Sequence, residues 1–166
     1  AFSGELWLGH LRYGTHGMNS IENVHPFLRQ NNWRSRNLVM AGNFNMTNVD
    51  ELFDLLVDLG QHPKEKVDTV TVMEKIGHFL DEEVQGLFQK YKDKFSNREI
   101  SDIIENELNL PRMLRRACKD FDGGYTMAGM TGSGSAFVVR DPNGIRPAYF
   151  YANDEFVVVA SEKPAI

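Results

Sequence analysis

Residues Gly9 to Gly17, GHLRYGTHG, pack an arginine, a threonine and a histidine between glycines. A buried strand reads as a run of aliphatic and β-branched residues, whereas here Leu11 lies between His10 and Arg12, and Tyr13, Gly14, Thr15 and His16 follow. Polar groups this dense suit a small-molecule pocket better than a core. The Arg12 guanidinium offers a planar fork that can grip an α-carboxylate through two parallel hydrogen bonds; alone it reads equally well as a surface arginine. Gly14 and Gly17 let the backbone turn tightly enough to present Thr15 and His16, which shifts the balance toward binding. Asp68, at an expected helix start, can meet an ammonium, so that with Arg12 it would read an amino acid. It can also serve as a helix N-cap, and the two roles can coexist. Asn43, in GNFNMTN, can aim an amide N–H at a carbonyl oxygen becoming negative, a contribution of roughly 3 kcal/mol. Asparagine is also an ordinary turn former, and spacing alone favours the turn.

The elements that must position these residues follow from periodicity. Glu5 to Arg12 and Asn37 to Ala41 read as strands. Asn48 and Glu51 stand three apart like a capping box, Val49, Leu52, Phe53, Leu56 and Leu59 recur at helical spacing, and Gly60 supplies a stop. A longer helix is expected from Asp68 or Thr69 through Met73, Ile76, Leu80, Val84, Leu87 and Tyr91. Another holds Ile100, Ile103, Ile104 and Leu108 and breaks at Pro111, after which Met113, Leu114, Ala117 and Cys118 carry a last helix to Phe121. Tyr125 to Met130, Ala136 to Arg140, Ala148 to Tyr151 and Phe156 to Ala160 read as an antiparallel meander with Gly-rich or Asp/Asn turns. Strands, then helices, then strands predict an α+β fold with helices covering sheet faces.

The chain has 166 residues, 42% hydrophobic and 25% charged, with a formal net charge of -5. That length and composition fit one globular domain, and the acidic balance argues against nucleic acid or an anionic membrane surface as partner. A single cysteine rules out an intrachain disulfide and makes a reducing, cytoplasmic setting the expectation. No stretch approaches the length of a membrane span. The histidines show no zinc-like spacing, so no metal is expected, and GSGS at Gly132 to Ser135 lacks the lysine and following helix of a phosphate loop. The chain opens on Ala1 without an initiator methionine, so a fragment of a longer protein is expected.

The order GHLRYGTHG, NVHPF, AGNFNMTNVDEL, VDT, RDPNGIRPAYF and VVVASEKPAI resembles class II glutamine amidotransferase domains, which take ammonia from glutamine. Within them it is most similar to the amidophosphoribosyltransferase family, from about Gly9 to the last residue. The resemblance implies the four-layer αββα sandwich of N-terminal-nucleophile hydrolases, here truncated at its N-terminus, with residues 1–166 forming one partial glutaminase domain. It implies that Arg12 holds the glutamine α-carboxylate, Asp68 the α-ammonium, and Thr15 and His16 line the pocket. Asn43 is then the oxyanion donor and His25 a structural support. Glutamine and a C-terminal phosphoribosyltransferase domain are the implied partners, in a homo-oligomer. No cofactor is implied for this domain, and magnesium is an option only for the phosphoribosyltransferase domain.

Two departures stand out. The family nucleophile is an N-terminal cysteine whose α-amino group is the base, whereas this chain begins with Ala1, and Cys118 fits a small buried hydrophobe; a chain inactive by itself is expected. The family's Asn-Gly pair, whose glycine N–H completes the oxyanion hole, reads Asn43-Phe44, so a crowded or lost hole is expected. Val70 also replaces an acidic residue after Thr69. The alternatives are a degenerate domain that binds glutamine or mediates assembly, and an amidotransferase serving another ammonia acceptor such as a sugar phosphate.

Overall fold

The computed structural model describes residues 3–11 and 24–166. The chain runs β1 (Phe27–Arg29), β2 (Leu38–Met46), α1 (Val49–Asp58), α2 (Asp68–Tyr91), α3 (Asn97–Glu107), α4 (Leu110–Ala117), β3 (Gly123–Thr131), β4 (Ala136–Arg140), β5 (Tyr149–Ala152) and β6 (Val157–Ala160). The mixed helix-and-sheet class is as expected. Among the described residues the strands form an antiparallel four-stranded sheet in the order β1-β2-β3-β4 and a separate β5-β6 pair. The expected single meander is therefore divided: β3 pairs with β2 across all four helices in sequence, and β4 does not pair with β5.

Residues Glu5 to Leu11 form no strand, contrary to expectation. Leu6 is 44% and Leu11 100% exposed, and among the described residues no neighbouring strand satisfies their backbone, which a strand requires. The Trp7 indole instead donates to Gly4 O at 2.6 Å.

The long helix α2 begins at Asp68 as its periodicity requires. Val72, Ile76, Leu80 and Val84 are fully buried, as are Leu38, Met113 and Met127, which join them in one core between the helices and the sheet. Arg29, at the end of β1, reaches Glu74 at 3.0 Å and Asp81 at 2.7 Å on α2. Its side chain crosses the helix at Gly77, where a Cβ would come within 2.4 Å of Nε. A mid-helix glycine ordinarily costs about 1 kcal/mol; here the guanidinium needs the space.

The helix ends differ from expectation in instructive ways. Asn48 precedes α1 but caps nothing: its amide donates to Asp120 O at 2.8 Å and accepts from Asp122 N, tying α1 to the start of β3. Gly60, at φ 81°, does stop α1, with Gly60 N–H on Val57 O and Gln61 N–H on Leu56 O, the paired bonds of a Schellman motif. The capping box lies at α3 instead, where Ser96 and Glu99 satisfy each other's backbone N–H. Asn109 caps α4, so that Pro111 falls inside its first turn, where no N–H is required. The last helix thus begins before Pro111 and ends at Ala117.

Candidate functional site

Strand β2 organises the site. Leu38, Met40 and Met46 point into the helical core, as does the half-buried Phe44, while Asn43 and Asn45 alternate onto the exposed opposite face. Asn43 pairs with Thr126 within the sheet, so it is a strand residue and not the turn that its spacing favoured. Its amide has no hydrogen-bond partner among the described residues.

The ladder shows where the backbone donors of β2 point. Thr47 N–H on Asp122 O and Gly132 N–H on Asn37 O mark the odd positions as those bonded to β3, because bonded and non-bonded pairs alternate in an antiparallel ladder. The N–H groups of Gly42, Phe44 and Met46 therefore turn to the other edge, beyond the end of the short β1. Gly42 N–H donates to His25 Nδ1 at 3.3 Å and Met46 N–H to Asp68 Oδ2 at 3.0 Å. Phe44 N–H, between them, takes no partner among the described residues. An open backbone donor thus adjoins the open amide of Asn43.

The side chain of Phe44 does not crowd this approach. It leaves on the helix face, and its ring folds back over Gly42, where a Cβ would meet Phe44 Cζ at 2.8 Å and Thr126 O at 2.6 Å. No residue other than glycine has positive φ among those described, so Phe44 sits in ordinary strand conformation. Its ring stacks beyond His25 at 6.1 Å, and His25 in turn stacks on His10 at 4.4 Å and meets Phe27 edge-on at 4.8 Å. His25 props the underside of the Asn43 strand. Gly42, Phe27 and His10, which complete that support, carry no signal in their local sequence, because only the pairing of β1 with β2 sets His25 opposite Gly42.

Asp68 is the first residue of α2, and Val67 holds the N-cap position. The carboxylate therefore serves β2 instead of capping its own helix; one oxygen holds Met46 N–H, and Oδ1 makes no bond among the described residues. The positive end of the α2 dipole favours a carboxylate there. Val70 follows within the same first turn.

The RDPNGIRP segment closes the β3–β4 side. Asp141 is 3% exposed and accepts from Ile145 N–H at 2.9 Å, Arg146 N–H at 3.0 Å and Tyr125 N–H. Burial opposes its charge, but the N–H donors of Arg146, Ile145, Tyr125 and Asn143 outweigh that and hold its carboxyl below the usual range. Thr126, across from Asn43, donates to Arg146 O at 3.2 Å. Cys118 closes the C-terminal end of α4, where burial pushes its thiol up to about 12.

Arg12, Thr15 and His16 lie outside the described residues. Of the expected site residues, Asn43 and Asp68 are joined through three residues of β2, with His25 beneath.

No family model matches the chain. The amidophosphoribosyltransferase of Methanothermobacter thermautotrophicus is 28% identical over 162 residues, 98% of this chain and 28% of that protein. That of Bacillus subtilis is 29% identical over 165 residues, 96% of this chain and 28% of its own length. The chain thus spans little more than a quarter of these relatives. Among solved structures, the B. subtilis glutamine phosphoribosylpyrophosphate amidotransferase complexed with ADP and GMP matches 94% of this chain and 27% of its own, with a TM-score of 0.62 and 26% identity. The chain is similar, over nearly all of its length and in its fold, to the class II glutamine amidotransferase domain, and most of all to that of amidophosphoribosyltransferase.

Proposed function

We propose that this chain is the glutaminase domain of an amidophosphoribosyltransferase-like enzyme, cytoplasmic and homo-oligomeric. It binds glutamine for hydrolysis to glutamate and ammonia, and the ammonia passes to phosphoribosyl pyrophosphate in a separate domain, in purine nucleotide synthesis. The observation that carries this reading is a pair of donors without a partner among the described residues, the Asn43 amide and Phe44 N–H, beside an aspartate anchored to the same strand. Attack of a thiolate on the glutamine side-chain carbonyl puts negative charge on its oxygen, and two fixed N–H groups stabilise that charge better than mobile water does. Asp68 Oδ1 accepts from the α-ammonium, Arg12 grips the α-carboxylate, and Thr15 and His16 line the pocket. Cys118 is not the attacking thiol, because a buried thiol titrating near 12 holds almost no thiolate at neutral pH. In the class II family the attacking thiol is that of an N-terminal cysteine, a place that Cys118 does not take. With Phe44 directed to the helix face, a degenerate hole has no steric basis.

The test is glutamate release from glutamine by the protein that carries this domain. Asn43→Ala lowers kcat by about 100- to 1000-fold, while Cys118→Ser leaves turnover unchanged. Asp68→Asn raises KM for glutamine more than it lowers kcat. Absence of both glutamine binding and turnover in the wild type would sink the reading and leave the fold likeness alone.

A further inference from the structure

Helix α2 carries a cation where an apolar residue would serve its core better. Asp68, Thr71 and Lys75 stand at i, i+3 and i+7, on one face of the helix, and Thr71 and Lys75 are both 0% exposed. The Lys75 ammonium reaches Asp120 Oδ2 at 3.1 Å and lies 5.2 Å from the centre of the Phe121 ring. The Asp120 side chain is itself 55% exposed, so the pair joins a fully desolvated cation to a half-hydrated anion. Such a pair is a weak source of stability, because a well-packed apolar side chain of similar volume often serves as well or better. Its consequence is positional: Asp120, in the turn between α4 and β3, is drawn against α2.

That turn carries the end of β2. Asp120 O accepts from the Asn48 amide at 2.8 Å, and Asn48 Oδ1 accepts from Asp122 N–H at 3.3 Å. Thr47 N–H donates to Asp122 O at 3.1 Å, and the Thr47 hydroxyl to the Asp122 carboxylate. Met46, just before them, gives its N–H to Asp68 Oδ2 at 3.0 Å. The contacts close a ring. Lys75 reaches from α2 to the α4–β3 turn, the turn holds the exit of β2, and β2 returns to α2 at Asp68. Asp68 is thus oriented from two sides, by its own helix and by a strand end whose place depends on Lys75.

We propose, resting on the glutamine reading above, that Lys75 is a positioning residue for the amino-acid end of the pocket: through Asp120 and the exit of β2 it fixes the Asp68 carboxylate where it accepts from the α-ammonium. The α-ammonium lies away from the amide that reacts, so a misplaced Asp68 weakens substrate and transition state alike and is read in KM, not in kcat. Lys75 therefore sets the affinity for an α-amino acid while touching no substrate atom.

The test is steady-state glutamate release by the protein that carries this domain, with Lys75→Met, which keeps the length of the side chain and leaves the half-exposed Asp120 to water. KM for glutamine is expected to rise about tenfold, with kcat within about twofold of wild type. In an Asp68→Asn background the same change should add less than about twofold to KM, because the group that Lys75 positions is already lost. Thermal unfolding identifies the folded variants. Asp120→Asn weakens the same link from its exposed end; it should raise KM about threefold and decides the matter if Lys75→Met does not fold. The proposal is overturned by an unchanged KM in the folded variant, by a kcat that falls as KM rises, or by effects of Lys75→Met and Asp68→Asn that add in full. A wild type that neither binds nor turns over glutamine removes the glutamine reading as well, whereas wild-type turnover with an unmoved KM in the variant removes only the role given to Lys75.

Discussion

The two faces of strand β2 differ in how completely their groups are satisfied. On the helix face Leu38, Met40 and Met46 are at most 8% exposed and meet Ile76, Leu80 and Val84 of α2, all at 0%. On the opposite face Asn43 is exposed, and among the described residues neither its amide nor, along the outer edge, the Phe44 N–H has a partner. One strand thus uses its period of two to separate stability from chemistry. The core side fixes where the strand lies, and the open side leaves the donors that the proposed function assigns to glutamine.

Breaking the closed face carries the largest stability cost. Ile76→Ala is expected to cost about 2–5 kcal/mol through lost burial and the residual cavity, read as a fall in denaturation midpoint. Asn43→Ala, one layer away, should stay within about 0.5 kcal/mol of wild type while abolishing most turnover. Equal costs at the two positions would show that the faces are not separable.

Gly42→Ala sharpens the contrast from the seam between them. The added Cβ would meet both the Phe44 ring and Thr126 O, and overpacking of this kind costs about 1–3 kcal/mol. Adding Phe44→Ala clears the ring but not the backbone oxygen of β3. The double variant therefore should not recover wild-type stability; full recovery would mean that the ring alone makes glycine necessary.

Legibility in the sequence follows the same division. Local periodicity carries α1, α2 and β4, since a regular apolar stripe needs no knowledge of the partner. The bounds of α2 and β4 come out as read. Glu5 to Leu11 has an apolar pattern but no neighbour to pair with among the described residues, and a strand cannot be read from one chain segment alone. The spacing of Asn48 and Glu51 points to a cap, whereas the contacts Asn48 makes with Asp120 and Asp122 span more than 70 residues and leave no local signal. Lys75 is fully buried within the apolar face of α2, held by Asp120 at 3.1 Å and the Phe121 ring; nothing near it in sequence announces that. The motif residues Asn43 and Asp68 were legible as candidates, but the free N–H of Phe44 was not. Its side chain suggested obstruction, whereas strand alternation sends the ring to one face and leaves the donor at the edge.

The smallest effect is expected at the buried turn of Asp141, where the comparison becomes one between satisfied and unsatisfied polar groups. Unlike Asn43, Asp141 spends its carboxylate on backbone N–H donors of its own loop. Its folded pKa is lowered, so its contribution to stability is fully present above the unfolded aspartate value of about 3.9 and is lost as pH falls through the lower folded value. Asp141→Asn keeps the shape but replaces one accepting oxygen by an NH2 group. Urea unfolding should therefore show the variant less stable than wild type at pH 7, and the gap should narrow as pH is lowered from about 5 to 2. A gap independent of pH over that range would mean that the loop is held by its shape and not by the aspartate charge. The satisfied carboxylate would then be no more sensitive to charge than the core it adjoins.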